Sequence, residues 1–155
     1  MQNTIVRIIV FAILNFGALG LGAYLMGQGA GSEWYQNLNK APWTPPGWVF
    51  GVAWTTIMIC FSIYMAELWK NTGNTNTVIF LFAIQWILNV MWNPTFFKYH
   101  QVLLALLIII MLTGIVAKLF LSNVSLLGYK TLWILPYLSW LLIATSLNAY
   151  IYIKN

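Results

Sequence analysis

Apolar residues fall in five long runs, over residues 5–26, 48–70, 77–97, 101–121 and 130–153. Each approaches the ~20 residues that carry an α-helix across a bilayer's hydrocarbon core. The polar breaks between them are short except the first, 27–47. This pattern predicts an all-α membrane protein, a five-transmembrane-helix bundle that forms one domain over 1–155. It also predicts a structured loop between helices 1 and 2. There Ser32 can N-cap a short helix through Leu38, with Glu33 well placed in its first turn. Asn39-Lys40-Ala41-Pro42 then ends it. An ordered loop of this length suits a lid over a cavity.

Within the runs, position carries further information. The first run holds Ala18-x-x-x-Gly22 and Ala23-x-x-x-Gly27, small pairs that let helices approach closely. They serve either packing inside the protomer or a homodimer face through Ala18 and Gly22. The second run is entered through Trp43-Thr44-Pro45-Pro46-Gly47-Trp48, where two prolines enforce extended backbone before a helix. Trp43 and Trp48 suit the membrane interface. Trp54 lies deeper, on one face with Phe50, Met58 and Phe61.

In the third run Gln85, Asn89, Trp92 and Phe96 share a face. Polar groups at membrane depth are costly and read first as functional. Asn93-Pro94 should break or kink that helix near its end. The fourth run is nearly all Leu, Ile and Val, so it reads as a lipid-facing or packing helix that contributes least to any site. In the fifth, Trp133, Tyr137, Trp140, Ala144 and Asn148 fall on one face, with a kink expected at Pro136.

Composition agrees. Charged residues make up 6% and hydrophobic residues 61%, against about 25% charged in soluble domains. A multi-pass integral membrane protein is expected. Residues 8–26 exceed a signal-peptide core of ~7–15 residues and read as a mature span. Cys60 is the single cysteine, so no disulfide forms within the chain. The net charge of +5 is spread singly over the ends of runs, as snorkelling side chains are, and no nucleic-acid binding is expected. Arg7, Lys70, Lys118 and Lys130 face Lys40, Lys98 and Lys154 across the predicted bilayer, a margin that sets no topology.

The two acids, Glu33 and Glu67, lie outside the span interiors, which removes the buried carboxylates that ion-coupled transport uses. Glu67 is expected to pair with Lys70 on the surface. With no aspartate, a Ser/His/Asp triad is excluded. His100 in its turn is either a haem-iron ligand or simply a turn residue, and no metal site is predicted. Binding remains. Three helices carry aromatic faces, and two of these carry amides. Brought together they form an apolar, π-rich pocket with a few hydrogen-bonding groups. Flat aromatic ligands such as tetrapyrroles would stack on it. The plainer reading is core packing, but amides on aromatic faces serve packing poorly, so Trp54, Asn89 and Trp140 together favour a pocket.

Three stretches resemble the translocator protein, or peripheral benzodiazepine receptor, family, whose bacterial members are called tryptophan-rich sensory proteins. They are Trp34-Tyr35 with Lys40-Ala41-Pro42-Trp43-Thr44-Pro45-Pro46-Gly47-Trp48-Val49-Phe50-Gly51 and Trp54-Thr55; Leu88-Asn89 with Trp92, Pro94, Phe96 and Phe97; and Pro136-Tyr137 with Trp140, Ala144-Thr145 and Leu147-Asn148. The resemblance implies a five-helix bundle, usually dimeric, with a cavity under loop 1. It implies porphyrin ligands, protoporphyrin IX and haem, with no cofactor required, and a role as receptor or carrier in tetrapyrrole or stress signalling.

Carried over by motif, the ligand-binding residues are Trp34, Tyr35, Trp54, Asn89, Trp92, Tyr137, Trp140 and Ala144. Some bacterial relatives degrade protoporphyrin in light, which would make Trp54 and Trp140 catalytic. Mitochondrial relatives bind cholesterol, and Leu147-x-x-Tyr150-x-x-x-Lys154 fits the loose sterol pattern. A passive lipid or sterol transporter or scaffold is thus a further alternative. The short termini lead us to expect a bacterial cell-membrane protein. Three positions depart from the family pattern. Gly51-Val52-Ala53-Trp54 lacks the usual proline, which predicts a straighter second helix, and Val90 and Tyr152 stand where tryptophan is common.

Overall fold

The computed structural model describes residues 2–155. Among them the only regular structure is helical. Helix α1 spans Gln2–Leu25, a 3-10 turn spans Gly29–Gly31, and α2 spans Glu33–Gln36. Helices α3, Gly47–Asn71, and α4, Thr75–Asn93, lead to a π-helical turn, Pro94–Lys98. Helix α5, Val102–Leu127, a 3-10 segment, Gly128–Ile134, and α6, Leu135–Lys154, complete the chain. Four helical runs are long and apolar enough to cross a membrane: Thr4–Gly31, Gly47–Asn71, Thr75–Lys98 and Val102–Lys154. The last, of 53 residues, folds back on itself. Asn148 on α6 donates to the Val102 carbonyl at the start of α5, and the Thr113 and Thr145 hydroxyls meet midway. Gly128, at φ 56°, supplies the left-handed residue that ends α5.

Local chemistry sets most boundaries. Pro46, extended at ψ 149°, precedes α3. Asn74 caps α4 by accepting from Thr77 N at 3.1 Å, and Ser32 caps α2 through Tyr35 N. α2 is shorter than the sequence suggests, because Asn37 already closes it. At Asn93-Pro94 the helix widens without breaking. Pro94 has no N–H to give, and the ladder resumes with Tyr99 N donating five residues back to Pro94 O at 2.9 Å.

Pro136 does not kink a helix. It occupies the first turn of α6, where its missing N–H would have had no partner. α5 runs on to Leu127. Its face Ile109, Leu112, Val116 and Leu119 is at most 2% exposed, so this helix packs centrally. It packs against α3, whose Phe61, Tyr64, Met65 and Leu68 are also buried, and against Leu141 of α6. Tyr64 Oη donates to Leu119 O at 2.6 Å, tying α3 to α5.

On α1 the buried face is Phe11, Asn15, Ala18 and Gly22. A Cβ at Gly22 would stand 2.6 Å from Asn93 Nδ2, so α4 lies directly against it. Ala18 and Gly22 therefore pack within the protomer. The Asn15 amide donates to Ser62 Oγ at 2.9 Å, an interhelical bond that gives specificity where lipid offers no hydrophobic drive. Glu67 also differs from expectation. It accepts from Lys130 at 2.7 Å rather than from Lys70, because its face of α3 is turned toward the 3-10 segment.

Candidate functional site

Loop 1 closes one end of a cavity of about 470 Å³, within the usual range for small-molecule sites of about 300–1,000 Å³. Its walls come from all five long helices. α1 gives Leu19, Ala23 and Met26; α3 gives Phe50 and Trp54; α4 gives Asn89, Trp92 and Asn93, followed by Phe97 of the π turn. α5 gives only Ile109 and Leu112, and α6 gives Trp140, Leu141 and Ala144. The roof is Tyr35, Gln36, Lys40, Thr44 and Pro45 of loop 1.

Each ring on the wall rests edge-on against another. Phe50 meets Trp140 at 5.3 Å and 86°, and Trp54 meets Tyr137 at 6.1 Å and 68°. These are favourable quadrupole geometries, and they leave indole faces for a guest. Behind the wall, amides hold the rings. Trp92 Nε1 donates to Asn148 Oδ1 at 3.1 Å, and Tyr137 Oη donates to Gln85 Oε1 at 3.1 Å. The amides at membrane depth on α4 and α6 thus divide between two tasks. Gln85 and Asn148 position aromatic groups, while Asn89 and Asn93 face the cavity.

The roof is cationic. Lys40 Nζ donates to the carbonyls of Tyr35, at 2.9 Å, and Gln36, at 3.0 Å. It also lies 4.9 Å from the centre of the Tyr35 ring. Burial raises the Tyr35 hydroxyl above its ordinary value, so it is an un-ionised phenol at neutral pH. Three moorings hold the loop. Trp34 stacks on His100 at 4.0 Å and meets Phe96 edge-on. Asn39 N donates to Asn155 Oδ1 at 2.9 Å, and Trp43 Nε1 donates to Ser146 Oγ at 3.1 Å.

Of the residues expected at the site, Tyr35, Trp54, Asn89, Trp92, Trp140 and Ala144 line this one cavity. Trp34 and Tyr137 do not. Trp34 is spent on mooring the roof, and Tyr137, 1% exposed, backs Trp54. Trp133 is off the α6 face and 43% exposed, because the 3-10 segment before α6 turns with a different period. His100 does not reach the wall. Asn93 was missed in the sequence because its neighbour Pro94 marked it as a helix breaker. Its place one turn beyond Asn89 was the available signal. Lys40 and Gln36 carried no periodic signal, being in a loop.

The sequence profile of the TspO/MBR family matches residues 8–153. The chain belongs to the TspO/MBR family. It is 34% identical over 149 residues to the tryptophan-rich protein TspO of Archaeoglobus fulgidus, covering 95% of this chain and 96% of that one. A tryptophan-rich sensory protein of Cereibacter sphaeroides is 34% identical over 116 residues, 75% of this chain and 73% of the relative. The human translocator protein is 33% identical over 134 residues, 83% and 78% of the two chains. With its apolar helices, this membership makes the chain an integral membrane protein.

Proposed function

We propose that this TspO/MBR protein is a five-crossing membrane receptor or carrier for porphyrins and related flat apolar ligands, acting in tetrapyrrole or stress signalling. The observation that carries the reading is a π-lined cavity under a roof with one ammonium group. Trp54, Trp92 and Trp140 offer stacking surface, Asn89 and Asn93 offer hydrogen bonds, and Lys40 offers an electrostatic partner for an acidic edge. A metal-free macrocycle with peripheral carboxylates matches that set. Haem also fits by shape, but with no histidine on the wall it would be held by stacking rather than by axial ligation. The names of the relatives, sensory protein and translocator protein, agree with a role in sensing or carrying a ligand.

A second reading, light- and oxygen-dependent degradation of the porphyrin, draws on the presence of both Trp54 and Trp140 on the wall. A light-excited macrocycle against indole can exchange an electron with it, with oxygen as the terminal oxidant. The test is a titration of the detergent-solubilised protein with protoporphyrin IX, followed by tryptophan quenching and porphyrin absorption, in the dark and then under light. Saturable binding with a stable spectrum is expected, and it weakens in Trp54→Phe and Trp140→Phe. Protein-dependent bleaching slowed in those variants would establish the enzyme instead. No saturable binding would refute both.

A further inference from the structure

A second concavity lies at the other end of the bundle, on its outer surface. It has a volume of about 400 Å³ and is bounded by α1, α3 and α4. Its lining is apolar except for Arg7: Val10, Phe11 and Leu14 continue down α1, with Met65 and Trp69 of α3 opposite. From Val6 to Leu14 the groove runs about 12 Å along the helix. One leaflet of hydrocarbon is about 15 Å deep, half of a ~30 Å core. Phe11 holds the walls in shape, edge-on to Trp69 at 6.1 Å and to Phe82 at 5.2 Å.

Arg7 stands at the mouth with its charge uncompensated. The chain has two acids. Glu33 belongs to α2 in loop 1, beyond the opposite end of α1, and Glu67 is held by Lys130 at 2.7 Å. Glu67 also lies two residues from both Met65 and Trp69, so it points to the far side of α3 from the groove. The positive end of α4 lies at the same level, where Val78 and Ile79 border the groove, and its dipole adds to the local field. Lys70 is exposed next to Trp69. A guanidinium at the head of an apolar slot one leaflet long is complementary to a single kind of occupant.

We propose that this groove is a site for an anionic phospholipid, with one acyl chain laid along Val10, Leu14 and Phe82 and its phosphate paired with Arg7. Guanidinium binds phosphate in a bidentate, charge-assisted manner. The site is separate from the cavity under loop 1 and does not depend on the reading of that cavity.

The experiment is native mass spectrometry of the full chain in detergent, titrated with phosphatidylglycerol or with phosphatidylcholine of the same acyl chains. One phosphatidylglycerol should bind the wild type about tenfold more tightly than phosphatidylcholine: both carry the phosphate, but the choline cation of the second opposes the positive charge gathered at Arg7 and the start of α4, a like-charge contact of about 1 kcal/mol or more. Arg7→Gln should reduce the preference to about twofold or less, and Arg7→Lys should keep much of it, since a point charge retains attraction but not the fork. Val10→Trp fills the slot and should abolish the tight site for both lipids, which decides the matter if Arg7→Gln fails to fold. Lys118→Gln, an equal loss of charge away from the groove, should leave the preference intact. Equal binding of the two lipids by the wild type would overturn the proposal. So would an undiminished preference in Arg7→Gln, or an equal loss in Lys118→Gln.

Discussion

Asn148→Leu tests how the cavity wall is held. Asn148 is 2% exposed and joins three helices, accepting from Trp92 Nε1 and donating to Val102 O, both at 3.1 Å. Leucine has the same branched skeleton and is somewhat bulkier, so the change removes the hydrogen bonds and leaves no cavity. The Val102 carbonyl keeps its own helical donor. The Trp92 N–H is left without a partner, which costs about 1–3 kcal/mol when buried. Interhelical side-chain bonds in membrane bundles average about 0.6 kcal/mol and reach about 1.7. Trp92 is only half-buried, so a loss of about 1–2 kcal/mol is expected. The assay is unfolding in mixed dodecyl sulfate micelles, followed by circular dichroism, for Asn148→Leu, Trp92→Phe and the double variant. The double variant should lose less than the sum of the singles, by about 0.6–1.7 kcal/mol. Strict additivity would show that the bond carries no energy and that Trp92 is held by packing against Phe96 and Phe97.

Thr131 Oγ1 is buried without a hydrogen-bond partner among the described residues. Thr131→Val should therefore stabilise the protein by about 1 kcal/mol in the same unfolding assay. Gly22→Ala places a methyl 2.6 Å from Asn93 Nδ2, the free end of a side chain that can swing. Stability should fall by no more than about 1 kcal/mol, while affinity for protoporphyrin IX shifts measurably because Asn93 is on the cavity wall. Glu67→Gln cuts the ion pair with Lys130 and should lower stability slightly at low salt, the deficit shrinking when unfolding is repeated at high ionic strength.

Helical periodicity made whole faces legible in the sequence. Asn89 and Trp92 on α4, and Trp140 and Ala144 on α6, come to one cavity because residues three and four apart share a side of a helix. The cap at Ser32 and the extended entry to α3 at Pro46 were legible too, since their chemistry is complete within a few residues. Choices made across the bundle were not legible. Ala18 and Gly22 read equally well as an inner or an outer face, and Asn93, far along the chain, decides between them. Glu67 had a plausible partner at Lys70 on its own helix, yet Lys130 takes it. Residue type alone marks Pro136 as a kink, but its effect depends on where the helix begins. Lys40, the one ammonium group over the cavity, sits in a segment without period.

The three moorings of loop 1 bear on rates rather than on affinity alone. Trp34 on His100 and Phe96, Asn39 on Asn155, and Trp43 on Ser146 attach the roof to the π turn and the bend after it, to the residue that follows α6, and to α6 itself. If each attachment is worth about 1 kcal/mol net, lifting the roof costs about 3 kcal/mol, and the open form is about one molecule in 150. A guest that enters past the roof meets that fraction on arrival and again on departure. Arrival and departure then slow together, residence lengthens, and the equilibrium constant stays where the closed cavity sets it.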